Sequence, residues 1–296
     1  MRLLRIAIML LLSATMSCGK DRVIGPTVIG DEILFYARSA PDTTFTHLFA
    51  VNADGSGLHK LTDTDMHDRS PRWSPDGTRI VFLRQYHRQT FPDSVNVTVM
   101  NAEGTNIIRL TNDEADANPS WSSDGTQIAY QNGTYSSDVW RMDADGSSPH
   151  LYMSADSTNF CGGIGLTPQN TLLGATFSGL WMQLTPSATS LTRVAGAQVI
   201  SPGGVPRLSP DGSRIAFEYL GYTSTEPVHI VTVKTDGSDW KGLTEGGQYS
   251  PVWSPDGARI AYVHDRRVWI MNANGSSQRP IPMRQGVYVV GLGDWK

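Results

Sequence analysis

Cysteine is nearly absent: 296 residues contain two thiols, Cys18 and Cys161. That excludes a disulfide framework and a cysteine-rich zinc module. Charge is sparse as well. Lys+Arg 24 against Asp+Glu 28 gives a net charge of −4, too acidic for a broad nucleic-acid footprint. No apolar stretch reaches the 18 residues that a membrane-spanning helix needs. The chain also lacks a G-x-S-x-G elbow, an H-E-x-x-H helix, a phosphate loop and a C-x-x-C pair. Gly163-Ile164-Gly165 precedes no helical pattern, so a dinucleotide reading fails as well. What is plentiful is glycine, 29 residues, and aromatic side chains, with 8 Trp, 10 Tyr and 8 Phe. This is a globular composition with enough apolar bulk for a sizeable core.

The first residues read as an export signal. Arg2 and Arg5 form a basic start, Ile6–Leu12 is a short apolar run, and small polar residues lead to Cys18. Thr15-Met16-Ser17-Cys18 resembles a bacterial lipobox, with Thr15 where Leu is usual. The resemblance implies cleavage before Cys18 and its lipidation. Gly19, in place of the Asp that would retain the protein at the inner membrane, implies the periplasmic side of the outer membrane. Without lipidation the product would be secreted or periplasmic. We therefore expect a signal peptide over 1–17, a lipidated tether over 18–30 and a folded domain over 31–296. Removal of 1–17 would leave 22 basic and 28 acidic residues, a net charge of −6. Cys161, with no available pair, is expected to behave as a small buried hydrophobe.

The remainder is repetitive. WSPDGTRIVF begins at Trp73 and returns as WSSDGTQIAY at Trp121, LSPDGSRIAF at Leu208 and WSPDGARIAY at Trp253. A degenerate copy, LTPQNTLLGA, begins at Leu166. The spacings are 48, 45, 42 and 45, and 42 further residues reach Trp295. A second unit alternates with the first: LFAVNADGSGLHKLT at 48–62, VTVMNAEGTNIIRLT at 97–111, VWRMDADGSSPHLYM at 139–153, VTVKTDGSDWKGLT at 231–244 and VWIMNANGSSQRPIP at 268–282. The copy near 180–194 has lost its Asp-Gly.

Each unit reads as a β-hairpin, with apolar β-formers flanking Asp-Gly, Glu-Gly or Asn-Gly. RIVF and RIAF are apolar at consecutive positions, the mark of strands buried on both faces. Two hairpins per repeat make a four-stranded sheet, and such sheets packed around an axis make a β-propeller. The count predicts an all-β fold of six antiparallel blades. Blades 2 to 6 fall over 68–111, 116–153, 161–194, 203–244 and 248–282. Blade 1 has only three strands near its start, at 33–38, 47–52 and 58–62. Its fourth is expected from 288–296, which closes the ring.

The paired WSPDG…RIAF and MNADGS…LT units closely resemble the TolB-type propeller repeat, a relative of WD repeats, over about 265 residues. TolB carries an α/β domain ahead of its propeller, and this chain has only about a dozen residues in that place. The resemblance implies a cell-envelope complex and a peptidoglycan-associated lipoprotein as partner class. Serine peptidases with such propellers keep their chemistry on a separate hydrolase domain.

In this fold the Asp-Gly turns share one face, the turn face, and the B–C and D–A connections share the other, the loop face. The turns need no function beyond their geometry, and the motif Trp is expected in the core between blades. Variable loops on a rigid scaffold carry recognition. Tyr86, His87, Arg88 and Phe91 of blade 2 and Tyr219 and Tyr222 of blade 5 are the expected partner-binding residues, since Tyr, Phe and Arg anchor interfaces. Asp65, Asp68, Asp113 and Asp116 are expected to form an acidic rim near the channel mouth, able to steer a basic partner. Asp68 and Asp116 each lie five positions before a motif Trp. No catalytic residue, cofactor or metal is assigned, and a monomer is expected. The leading reading is a non-catalytic envelope binding protein. Two alternatives stand beside it. One is a metal-dependent lyase or hydrolase working in the funnel, should His47, His67, His87 and His264 converge there. The other is a carbohydrate or small-ligand binder using Tyr86, Phe91, Tyr219 and Tyr222.

Overall fold

Alternation of strand-forming runs with Asp-Gly turns produces 24 strands in six sheets in the computed structural model. It describes residues 31–86, 94–112, 115–132, 138–154, 163–176, 179–183, 185–188, 190–194, 204–219 and 227–296. The expected signal, Cys18, the tether and Cys161 lie outside these residues. Among the described residues every regular element is a strand.

Blade 1 holds β1 (Glu32–Ser39), β2 (His47–Asn52) and β3 (His59–Lys60). Blade 2 holds β4 (Asp68–Trp73), β5 (Arg79–Tyr86), β6 (Ser94–Asn101) and β7 (Ile108–Arg109). Blade 3 is β8 (Asp116–Trp121), β9 (Gln127–Asn132), β10 (Asp138–Asp143) and β11 (His150–Met153). Blade 4 is β12 (Ile164–Leu166), β13 (Leu172–Thr176), β14 (Gly179–Met182) and β15 (Thr192–Arg193). Blade 5 is β16 (Arg207–Leu208), β17 (Arg214–Tyr219), β18 (His229–Lys234) and β19 (Lys241–Gly242). Blade 6 is β20 (Tyr249–Trp253), β21 (Arg259–His264), β22 (Arg267–Asn272) and β23 (Arg279–Pro280). The last strand, β24 (Val287–Trp295), pairs antiparallel with β1 and completes blade 1 in the order β24-β1-β2-β3. The ring closes as expected, with β1 paired on both sides.

Six apolar clusters stitch the ring. Each joins two neighbouring blades, from Phe35 and Phe49 against Val263 and Ile270 (blades 1 and 6) to Ala129 and Val139 against Leu172 (blades 3 and 4). The second strand of each blade is buried on both faces; in β5, Ile80, Val81, Phe82 and Leu83 are all buried. That burial is what the consecutive apolar residues of RIVF report, and it sets the blades face to face.

The inner turn is a closed hydrogen-bonded device. In blade 2, Ser74 Oγ donates to Asp76 Oδ1 (2.6 Å), the Thr78 amide donates to the same oxygen (3.0 Å), and the Arg79 amide donates to Ser74 Oγ (2.9 Å). Gly77 takes φ of 68°, a left-handed conformation that a side chain would strain. These hydrogen bonds pull the Asp76 carboxyl down to about 2, led by the one from Ser74, and its equivalent Asp124 likewise. In the degenerate fourth copy Asn170 takes the left-handed position (φ 59°) and Thr167 replaces the serine, so the turn survives without Asp-Gly.

Trp residues latch the blades. Trp121 Nε1 donates to the Arg72 carbonyl (3.2 Å) and Trp253 Nε1 to the Arg207 carbonyl (3.0 Å), in each case the preceding blade. A cation from the preceding blade covers the ring: Arg79 over Trp121 at 4.6 Å and Arg259 over Trp295 at 4.9 Å. In blade 1 that position is Glu32, by register with Trp295. Lys296 supplies the missing cation, its ammonium 3.4 Å from the Trp73 ring centre and 3.7 Å from the Glu32 carboxylate.

Candidate functional site

The loop face is built where the second strands end. Of the residues expected to bind a partner there, Tyr86 and Tyr219 are described. His87, Arg88, Phe91 and Tyr222 lie outside the described residues, as does Asp113 of the acidic set. Tyr86 is half-buried under the Arg109 guanidinium, 4.4 Å from its ring centre, with its hydroxyl 3.3 Å from Thr98 Oγ1. Tyr219 is half-buried with its ring edge-on to Trp240 at 5.9 Å. Both are tied into their own blades rather than standing free.

The acidic set divides. Asp65 is exposed. Asp68 and Asp116 do occupy equivalent places, as the first residues of two inner strands, but both are buried. Asp68 accepts two hydrogen bonds from Arg84, from Nε at 2.7 Å and from Nη2 at 2.8 Å. Burial pulls the Arg84 pKa down, but the bonds and charge of Asp68 outweigh it and leave it raised. Asp116 accepts from the Val97 amide (3.2 Å) and from Thr111 Oγ1. A solvated rim is therefore the wrong picture for these two carboxylates. Asp68 ties β4 to β5 within blade 2, and Asp116 fastens blade 3 to blade 2, where the Val97 backbone donor would otherwise lose a partner.

Of the histidines weighed as a metal set, His87 lies outside the described residues, and the other three divide between the blade 1–2 junction and blade 6. His47 is buried, and its Nδ1 has no hydrogen-bond partner among the described residues; burial holds its pKa below the usual imidazole value. His67 accepts from the Thr46 amide at 3.3 Å, while His264 lies against Trp269 in blade 6. Among the described residues no three His, Cys, Asp or Glu side chains gather as metal ligands.

The exposed apolar side chains of the loop face sit elsewhere, on the closing strand. Tyr288 and Val290 of β24 are 43% and 39% exposed. Arg38 stands opposite Tyr288 across the β1–β24 pair. Arg266, Arg267 and Arg284 share with Tyr288 a cavity of about 370 Å³. None of these four exposed arginines makes an ion pair among the described residues. The β21–β22 turn that carries Arg266 has two left-handed residues, Asp265 and Arg266 (φ 49° and 58°), and the Arg266 carbonyl accepts from the Val289 amide at 2.9 Å. On the far side of β1, Asp42, Lys60, Asp63 and Asp65 line a second cavity of about 420 Å³, with Lys60 paired to Asp63. The face thus runs from an arginine-rich arc, which also holds Asp265, to a mixed arc with more acids than bases.

The channel on the axis is the other concavity. Ser70, Asn118 and Ser250, each three positions before a motif Trp, adopt left-handed backbone (φ 54°, 50° and 55°) and bulge the inner strands toward the axis. Here the Ser250 amide donates to Glu218 Oε1 at 2.9 Å. Burial pushes the Glu218 carboxyl up, and that bond opposes it only in part. On the turn-face side lies a cavity of about 350 Å³. The residue just before each motif Trp or Leu lines it: Asp294, Arg72, Ser120, Gly165, Arg207 and Val252 from blades 1 to 6. Arg72 Nη1 (3.3 Å) and Arg207 Nη2 (2.9 Å) both donate to the Gly293 carbonyl. Gly293 has no room for a side chain, since a Cβ would meet the Pro71 carbonyl oxygen at 2.3 Å. Burial depresses the Arg72 pKa and raises that of Asp294, and the attraction between the two opposes both shifts. Sequence reading missed this ring. Its signal was available: aligning the repeats on Trp puts two arginines and an aspartate at a position otherwise filled by Ser, Gly or Val.

No protein-family model matches the chain. A stretch of 52 residues is 44% identical to dipeptidyl-peptidase 5 of Porphyromonas gingivalis, covering 16% of this chain and 8% of that protein. Among solved structures, TolB from Acinetobacter baumannii superposes with a TM-score of 0.70 at 18% identity, over 90% of this chain and 66% of that one. Oligogalacturonate lyase from Vibrio parahaemolyticus superposes with a TM-score of 0.53 at 17% identity, over 85% of this chain and 73% of the lyase. The chain spans less than two thirds of the first two proteins. At these structural identities the likeness is one of fold, and the fold is a TolB-like six-bladed propeller.

Proposed function

We propose that this protein is a non-catalytic binding scaffold of the cell envelope, docking a protein or cell-wall-associated partner on its loop face. The observation that carries the reading is the patch on β24: exposed Tyr288 and Val290 flanked by Arg38, Arg266, Arg267 and Arg284. Tyr and Arg are the side chains that dominate interface energetics, and Tyr288, Val290, Arg38 and Arg267 of this patch stand on strands, so much of it is already ordered for binding. The unpaired arginines favour an acidic partner surface. The TolB-like fold supports the same class of function, because a propeller presents one broad, rigid face. A peptidoglycan-associated lipoprotein is the partner class that the repeat resemblance suggests.

The geometry suits a tether. Asp31 lies on the turn face, bonded through Oδ1 to Trp295 Nε1 (3.1 Å) and Arg259 Nη2 (2.9 Å). A lipid on Cys18, thirteen residues earlier, would keep Asp31 within about 45 Å of the membrane. Likeness to a lyase and a peptidase brings no chemistry with it, because the fold hosts both enzymes and binders.

The test is crosslinked affinity purification from native membranes with the parent and with a Tyr288→Ser/Arg38→Ser/Arg266→Ser variant of equal thermal stability. A partner recovered by the parent and lost by the variant supports the reading. A partner list identical for the two proteins contradicts it.

A further inference from the structure

The channel septum has a charge imbalance that the loop-face reading does not use. Arg72 and Arg207 come from opposite blades of the ring, 2 and 5, and meet on one backbone carbonyl, that of Gly293. The nearby carboxylate is Asp294, and it already accepts from the Trp73 amide (3.2 Å) and the Trp295 amide (3.0 Å). A guanidinium has five N–H donors and stays charged in proteins. Asp294 is the one carboxylate among the residues that line the turn-face cavity, so two guanidiniums leave a positive excess on that side of the septum, while Glu218 lines the channel with the same two arginines on the other side. Arg207 Nε is shielded from solvent and has no hydrogen-bond partner among the described residues. Trp73 Nε1 shares that state, whereas Trp121 and Trp253 each donate to the blade before them. Buried donors left unmet are costly, so a site that collects two of them beside excess charge is suited to an acceptor.

The walls above the septum are apolar. Exposed Pro75, Pro168, Pro210 and Pro255 crown the mouth on the turn face, and the edges of the motif indoles lie below them. A cavity of about 350 Å³ falls within the usual size range of small-ligand sites. An inorganic anion would use the septum and leave these walls without a partner. We infer that the turn-face cavity binds a carboxylate attached to an apolar group, with the carboxylate on Arg72 and Arg207 and the apolar body against the proline crown. A free small acid and the C-terminal residue of a peptide share this chemistry. The site is on the face opposite the proposed docking patch, so the two ideas stand or fall separately.

The test titrates the purified full chain with 4-phenylbutyrate and its carboxamide, and with the tripeptide Ala-Ala-Phe as free acid and as C-terminal amide. Tryptophan fluorescence and calorimetry are the readouts. Each acid should bind at least about tenfold more tightly than its amide, since the amide loses the charge-assisted bonds. Tighter binding of the butyrate would assign a free acid, and tighter binding of the tripeptide would assign a chain terminus. Arg207→Gln should weaken acid binding by about tenfold. Equal binding of acid and amide overturns the inference. So does the absence of acid binding at about 10 mM, beyond the range of weak specific affinities. Should Arg207→Gln fail to fold, the acid-to-amide ratio in the parent protein still decides.

Discussion

On the turn face, blades 2, 3, 5 and 6 close their inner hairpins with the same serine-to-aspartate hydrogen bond, from Ser74 to Asp76, Ser122 to Asp124, Ser209 to Asp211 and Ser254 to Asp256. On the loop face, blade 6 turns through Asp265 and Arg266 alone, while blade 1 takes the longer path 40–46. One face is built by repetition and the other by departure from it. On both faces, however, the residues that make a candidate site are the ones that break the repeat. Arg72, Arg207 and Asp294 interrupt a position held elsewhere by Ser, Gly or Val, and Tyr288 and Val290 belong to a closing strand that comes from the other end of the chain. Repetition sets the scaffold, and irregularity locates the chemistry.

Changes to shared scaffold should cost the most. Trp295→Ala removes a buried indole, its bond to Asp31 and its stack with Arg259 at the ring closure. We expect a loss of about 3–5 kcal/mol and a large fall in Tm by calorimetry. Asp68→Ala should rank next. It strands the buried Arg84 guanidinium, at a cost of about 3 kcal/mol or more, whereas Asp68→Leu combined with Arg84→Met should restore most of the loss. An Asp68→Ala protein as stable as the parent would return this carboxylate to the solvated rim that its sequence position suggested.

That last case shows how much was legible in the sequence. The six blades and the surviving fourth turn follow from local chemistry, because a hairpin is specified by residues a few positions apart, and the long-range pairing of β24 with β1 follows from the repeat count, which leaves blade 1 one strand short. Asp68 and Asp116 were placed correctly along the chain and wrongly in depth. Their burial depends on Arg84, Val97 and Thr111, and a partner of that kind is visible only once strands are paired. The channel ring was hidden for a similar reason. One residue from each of six distant repeats meets on the axis, and no single window contains two of them. Tyr86 and Tyr219 carry the right side-chain type for an interface, but Arg109 and Trp240 occupy their rings.

Two smaller effects separate the channel from the turns by pH. Burial raises the Glu218 pKa, so the folded state holds that proton more tightly than the unfolded chain. Its ionisation therefore costs stability as pH rises from the ordinary value of 4.5 through the raised one. Glu218→Gln should consequently raise Tm at neutral pH by about 2 °C or more, and the gain should shrink below pH 4.5. The exposed turn has the opposite sign. Asp76 is held down at about 2, so its contribution is present above 3.8 and lost as pH falls toward 2. The Tm gap between parent and Asp76→Asn should be small, constant from pH 7 to about 5, and should close in acid. A gap that widened in acid would contradict the hydrogen-bonded turn.

The most direct test of the account sets the two faces against each other in one experiment. Crosslinked purification from native membranes would use the parent, the Tyr288→Ser/Arg38→Ser/Arg266→Ser variant of the loop face and Arg207→Gln of the turn-face channel. The account predicts that a partner recovered with the parent persists with Arg207→Gln and disappears with the loop-face variant. Loss with Arg207→Gln and retention with the loop-face variant would contradict it, and would place partner recognition on the turn face.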